Sequence, residues 1–261
     1  AHHVLIAGQT GGGKTTLLHT IIMSMLLKYS ADELQLYLAD FKEGIEFKPY
    51  TELKCNSFKV IAIDSEREFG LNILEKLCRE LKNRTDIFSQ NGCTDITEYR
   101  TKTKNKMPKI VLIFDEIHEL LVKDDDITNK SLQCLNKLIT QGRALGIHLI
   151  LACQDFRLAY GISSLFSQIA VRIAIKGDEE SAGSILSSNN DGFKSLSGKP
   201  DGSALYNERN GASTDNVYFR VAYLEKNERI NYLQTISFIE QSLNPNEEIK
   251  TKVLLSKIED D

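Results

Sequence analysis

Eight residues near the start of the chain, Gly8-Gln9-Thr10-Gly11-Gly12-Gly13-Lys14-Thr15, restrict its fold more than any other stretch. They follow a short apolar run, Val4–Ala7, and lead into a segment from about Lys14 to Lys28. There Leu17, Leu18, Ile21, Ile22, Met25 and Leu26 recur at helical spacing. Strand, glycine loop and helix together are the context in which G-x-x-x-x-G-K-[ST] grips phosphate. Glycines let backbone amides approach the oxygens with no side chain in the way, and the helix adds its positive N-terminal end. Lys14 can reach the β- and γ-phosphates, and Thr15 can offer its hydroxyl to Mg²⁺. The expected ATP-binding residues are Gly8, Gln9, Thr10, Gly11, Gly12, Gly13, Lys14, Thr15 and Thr16.

Further apolar runs at Leu34–Asp40, Phe58–Ile63, Ile110–Asp115, Ile147–Cys153 and Ile169–Ile175 read as buried strands. Between them, Ser65 to about Gln90 and Asn129 to about Leu145 read as amphipathic helices, and Asp178 as the N-cap of a helix reaching Leu186. Asn91–Met107 is a polar stretch and Ser187–Gly202 a polar, glycine-rich loop. Ser203–Tyr206 and Val217–Ala222 flank the turn residues Asn210-Gly211 and predict a hairpin. The tail from Asn227 onward reads as helical and highly charged. Strands alternating with helices imply a three-layer α/β/α fold with a mostly parallel central sheet and a C-terminal hairpin. The expected division is residues 1–225 as one domain and 226–261 as a charged helical extension.

Ile110-Val111-Leu112-Ile113-Phe114-Asp115-Glu116 supplies a second half for a phosphate site. An apolar strand sets its terminal carboxylates at the C-terminal edge of the sheet, where ligands of open α/β sheets bind. Asp115 can hold magnesium, and Glu116 is placed to orient and deprotonate an attacking water. Gln154 ends the next apolar strand and can hydrogen-bond both a phosphate oxygen and that water. The expected metal ligands are therefore Thr15 and Asp115, with Glu116 and Gln154 acting on the reaction.

Composition removes other readings. No segment of the 261 residues approaches the ~20 apolar residues that span a bilayer. Cytoplasmic placement with no membrane contact follows as an expectation. The five cysteines show no CxxC pairing, which favours buried thiols over a disulfide or zinc framework. A net charge of −4 leaves no whole-domain basic footprint for nucleic acid. The few residues before the first strand suggest a domain cut from a longer chain.

Val4–Gly11, Leu38-Ala39-Asp40-Phe41-Lys42-Glu43-Gly44, Asp115-Glu116 and Gln141–Gln154 together resemble the motor domain of the FtsK/SpoIIIE/HerA type. Val171-Arg172-Ile173-Ala174 and Gly198–Tyr206 follow in the same order, so the resemblance runs from residue 2 to about 225. It implies a RecA-like P-loop NTPase fold and a hexameric ring. It also implies ATP hydrolysis at subunit interfaces that drives a polymer through the pore. Such interfaces need a cation from the neighbouring subunit, and the resemblance marks Arg143 and Arg172 as candidates. It also marks Asp40 and Lys42 as a D-x-K near the phosphates. Family members usually read A-T-Q-R-P where Ala152-Cys153-Gln154-Asp155-Phe156 stands, and many have asparagine at the place of Gln168. These departures suggest a divergent branch, such as one in a DNA-defence or mobile-element system.

Two cargoes fit. Arg100, Lys102, Lys104, Lys106 and Lys109 form a local basic cluster suited to duplex DNA phosphate, although a solvated charged loop explains them equally well. Type VII secretion ATPases resemble the same family, and Asp40-Phe41-Lys42-Glu43-Gly44 is nearer their D-F-K-G-G than the D-P-K common in DNA motors. A third reading, a nucleotide-gated scaffold with little turnover, is opposed by the intact Glu116.

Overall fold

Strand side chains alternate between two buried layers, which sets the architecture. Along Ile110–Phe114, Ile110, Leu112 and Phe114 join one apolar cluster while Val111 and Ile113 join the other. A computed structural model describes residues 2–9, 11–42, 46–53, 55–63, 66–243 and 251–254. Its strands are β1 (Val4–Ala7), β2 (Leu34–Asp40), β3 (Phe58–Ala62), β4 (Lys109–Asp115), β5 (Ile147–Cys153), β6 (Val171–Ile175), β7 (Ser203–Asn207), β8 (Val217–Arg220) and β9 (Lys252–Leu254). Its helices are α1 (Lys14–Lys28), α2 (Lys48–Thr51), α3 (Arg67–Gln90), α4 (Ile96–Thr103), α5 (Ile117–Leu120), α6 (Asp126–Leu145), α7 (Glu179–Gly183) and α8 (Lys226–Leu243).

The sheet order is β8-β7-β6-β1-β5-β4-β2-β3-β9. All neighbours from β6 to β9 pair in parallel, and the β7–β8 hairpin closes one edge antiparallel. Strand β5 lies between β1 and β4, so the strand carrying the glycine loop and the strand carrying Asp115 are separated by one strand. Helices α3, α4, α5 and α6 cover one face, and α1, α2 and α8 cover the other. The three-layer α/β/α fold with a mostly parallel sheet and a hairpin is thus the observed one.

Helices α3 and α6 are tied near both ends. Arg67 in the first turn of α3 grips Asp125, the N-cap of α6, at 2.6 and 2.8 Å. Near the other end, the buried Arg84 guanidinium donates to the Leu145 carbonyl at 2.9 Å. A paired cation between helices holds their relative position where an apolar contact could slide.

Several elements differ from the sequence reading. The polar Asn91–Met107 stretch contains α4, because Asp95 caps it through the amides of Thr97 and Glu98 while Ile96 and Tyr99 bury one side. Helix α7 stops at Gly183, short of Leu186. The charged tail is not helical throughout: Lys252–Leu254 pairs in parallel with β3 and adds an edge strand. Thr10, Glu43, Gly44 and Ser65 lie outside the described residues, as do 244–250 and 255–261. Among the described residues, no helix is long and apolar enough to cross a membrane.

Candidate functional site

The glycine loop turns at the C-terminal end of β1 and is backed by two other segments. Gly8 continues the ladder through a bond from its amide to the Cys153 carbonyl at 3.2 Å. A Cβ on Gly12 would collide with the Lys176 carbonyl just past β6. Gly13 has φ 113° and caps α1, a conformation open to glycine and strained for other residues. The Gly202 amide donates to the Gly12 carbonyl at 3.0 Å, so the turn before β7 supports the loop from outside.

A cavity of about 360 Å³ opens over this loop, lined by Gln9, Gly11, Gly13, Lys14, Thr15, Thr16, Lys42, Glu46, Asp115 and Glu116. The structure therefore places most of the expected phosphate-binding residues on one concave surface with both acids from the end of β4. The Lys14 ammonium reaches between those acids. It contacts Asp115 and lies 2.7 Å from Oε1 of Glu116.

Burial pushes the Asp115 carboxyl up from its ordinary value, since a dry surrounding disfavours charge. Glu116 goes the other way: burial raises it, but the hydrogen bond from His118 and the charge of Lys14 outweigh that and hold it at about 2. Lys14, although burial opposes its charge, is raised by the two carboxylates. Lys14 is therefore charged and Glu116 ionised at neutral pH.

Glu116 sits at φ 52°, ψ 52°, a left-handed conformation uncommon outside glycine and frequent at functional sites. That bend lifts the carboxylate off the strand axis. Its Oε2 then accepts the Gln154 amide at 3.0 Å and faces Nδ1 of His118 at 3.2 Å. Gln154 is thus joined to the centre through its backbone; its carbonyl also accepts from the Ser181 hydroxyl.

Asp40 ends β2 in register with Asp115 on β4. Burial, together with the nearby Asp115 charge, lifts its carboxyl to about 6, and it accepts the amides of Lys42 at 2.9 Å and Glu46 at 3.1 Å. Those bonds fold the chain so that Lys42 and Glu46 face the cavity.

The two arginines part company. Arg172 is 5% exposed and donates to the carbonyls of Ile185 (2.6 Å), Phe166 (2.7 Å) and Ile169 (3.2 Å), a packing role inside its own domain. Arg143, in the last turn of α6, is exposed and borders a second cavity with His2, His3 and Gln168. That cavity lies where β1 and β6 begin, at the sheet edge opposite the glycine loop.

His118, Glu46 and the Gly202 support escaped the sequence reading. His118 had one signal, its place two residues after Glu116. Glu46 had none and Gly202 only its place within Gly198–Tyr206, because the fold brings them to the loop.

The donor set suits a magnesium nucleotide. A cation already sits between Asp115 and Glu116 in the form of Lys14, and the Gly12 cradle admits no side chain.

Comparison with known proteins agrees with this geometry. A model of the FtsK/SpoIIIE family matches residues 1–157. The chain is 31% identical over 189 residues to the DNA translocase FtsK of Chlorobaculum tepidum, covering 67% of this chain and 23% of that protein. It is 32% identical over 157 residues to the ESX secretion system protein YukB of Bacillus subtilis, covering 58% of this chain and 10% of that one. Among solved structures, the pCW3 conjugation coupling protein TcpA with ATPγS has a TM-score of 0.70 at 25% identity, covering 90% of this chain and 64% of that one. ATPases 2 and 3 of EssC from Geobacillus thermodenitrificans superpose with a TM-score of 0.71 at 18% identity over 97% of this chain and 46% of that one, a likeness of fold. The chain spans less than a quarter of the length of these curated relatives. With more than half of its residues matched by the family model, and the glycine loop and acid pair in place, the chain belongs to the FtsK/SpoIIIE family.

Proposed function

We propose that this chain is an ATP-hydrolysing motor domain that works in a hexameric ring and moves double-stranded DNA. The observation that carries the reading is the meeting of Lys14, Asp115 and Glu116 at the glycine-loop cavity. The amides of Gly11 to Thr15 and the Lys14 ammonium would hold the triphosphate, while Thr15 and Asp115 would hold Mg²⁺. The metal, when bound, neutralises charge on the transferring phosphoryl group. Glu116 would orient the attacking water and take up its proton. The Gln154 amide fixes the direction of that carboxylate.

Arg143 stands at the far sheet edge and cannot reach its own loop, as a residue acting on a neighbour's nucleotide requires. Arg172 is buried and turned to three carbonyls of its own domain, so we give the trans role to Arg143.

Relatives titled DNA translocase and a neighbour titled conjugation coupling protein support DNA as cargo and a mobile-element setting. No relative reported above speaks for DNA defence.

Protein cargo is the second reading, favoured by a specific observation. The basic cluster is largely tied within its own domain: Arg100 binds the Met107 carbonyl, Lys102 the Asn91 carbonyl and Lys106 the Asp32 carboxylate. Relatives titled ESX secretion proteins point the same way. Steady-state ATPase rates with and without duplex DNA, using Glu116→Gln as the blank, separate the two. A rate that DNA leaves unchanged removes the DNA reading.

A further inference from the structure

Beside the hydrolytic centre, three donor atoms of different chemistry converge. Sγ of Cys153 and Oε2 of Glu116 lie 3.3 Å and 3.2 Å from the same atom, Nδ1 of His118. One atom from each residue falls within 4.8 Å of the other two. Each side chain comes from a fixed backbone: Cys153 ends β5, Glu116 caps α5 in its left-handed bend, and His118 lies in the first turn of α5.

The other ring nitrogen of His118, Nε2, lies 3.1 Å from Oε1 of Glu119. That carboxylate holds a proton on Nε2, the carboxylate–histidine arrangement that supports metal ligation, and Nδ1, which donates to Oε2 of Glu116 in the metal-free chain, becomes a ligand once it gives up its proton. A cation bound by Nδ1 and Oε2 takes the place of the proton they share. The ring protons serve the two carboxylates and leave the thiol without a part. A metal ion uses all three donors.

We infer that Glu116, His118 and Cys153 form a site for a thiophilic divalent cation, of the Zn²⁺ or Co²⁺ kind, and that its occupation halts ATP hydrolysis. Tetrahedral zinc holds sulfur and imidazole nitrogen about 3.5 Å apart, near the observed spacing. Mg²⁺ demands six oxygen ligands and does not compete for this set. Loading breaks the Cys153 S–H and His118 Nδ1–H bonds, releases both protons to solvent and forms metal–sulfur, metal–nitrogen and metal–oxygen bonds with no change of oxidation state. The consequence rests on Glu116 serving hydrolysis, because a coordinated Oε2 can no longer orient water. The site itself does not depend on that role.

The test is titration of the chain with Co²⁺ in excess Mg²⁺, following thiolate-to-cobalt absorption in the near ultraviolet and the ATPase rate in parallel. The expected result is a saturable band, with the rate falling about a hundredfold or more as it grows. Cys153→Ala should abolish the band. Glu119→Gln keeps all three ligands and should weaken the metal by about 10–100-fold. A wild-type chain without the band, or a band that survives Cys153→Ala, overturns the site and leaves the role of Glu116 untouched. A full band with an unchanged rate overturns the halt on hydrolysis, and with it the assignment of Glu116.

Discussion

The Lys14 ammonium lies 2.7 Å from Oε1 of Glu116 while also contacting Asp115, and none of the three residues is more than 4% exposed. Two buried carboxylates side by side are tolerable because one cation serves both. Lys14→Ala should therefore fail in two ways, losing nucleotide uptake and destabilising the fold by about 3–5 kcal/mol. Adding Asp115→Asn should return much of the stability, since one buried charge is removed, and none of the binding. Melting curves and calorimetric ATP titration read the two effects separately. Equal melting of the single and double variants would mean that the triad carries no net charge coupling.

Glu116→Gln should keep ATP affinity within a few-fold and lower turnover by about 10²–10⁴. The amide preserves the shape and can still accept the Gln154 amide bond, so its loss is confined to the charge that holds the water and takes its proton. Single-turnover rates with saturating Mg²⁺–ATP measure this. Hydrolysis at the unmutated rate would move the role to another residue.

Arg143→Ala and Arg172→Ala should separate catalysis from stability. Arg172 satisfies three carbonyls in a buried setting, and removing it should cost about 3 kcal/mol in urea unfolding. Arg143 is exposed and should cost little stability while abolishing hydrolysis in the assembled ring. Mixing Arg143→Ala with Glu116→Gln subunits should restore part of the rate, because an interface pairing intact Arg143 with intact Glu116 reappears. Mixtures as inactive as either parent would argue against action across an interface.

The glycine loop and the Asp115-Glu116 pair could be read before folding because each is local: the spacing from Gly8 to Thr15 and the apolar run before Asp115 need no distant partner. The strand inserted between β1 and β4 was likewise legible, through Ile147–Cys153, apolar at every position but His148. Helix α4 was not, since Ile96 and Tyr99 are its two buried apolar positions among threonine and lysine, and the decisive signal was one cap at Asp95. Strand β9 is three residues long and gains its identity from pairing with β3. Glu46, His118 and Gly202 acquire meaning at the site through tertiary proximity that no periodicity encodes. For Arg172, a basic residue in an apolar strand looked available, and the three carbonyls that hold it come from Phe166, Ile169 and Ile185 beyond that strand.

Acid sensitivity should arise at the sheet edge far from the nucleotide. Burial lowers His148 from 6.5 to about 3 and His3 from 6.5 to about 4. The unfolded chain binds a proton at each imidazole below about 6.5, whereas the folded chain resists until those lower values. Stability therefore falls as pH drops, by about 1.4 kcal/mol per pH unit for each ring. Asp40 opposes part of the loss: held at about 6 when folded and 3.8 by nature, it favours the folded state as pH falls between them. Both ring nitrogens of His148 are buried and without a hydrogen-bond partner among the described residues, so His148→Leu removes a standing cost as well as a titrating group. The variant should gain about 1 kcal/mol at pH 7.5 and lose less stability than wild type between pH 6.5 and 4.5. Urea unfolding across that range decides it. An unchanged slope would show that His148 takes up its proton in the folded chain as readily as in the unfolded one.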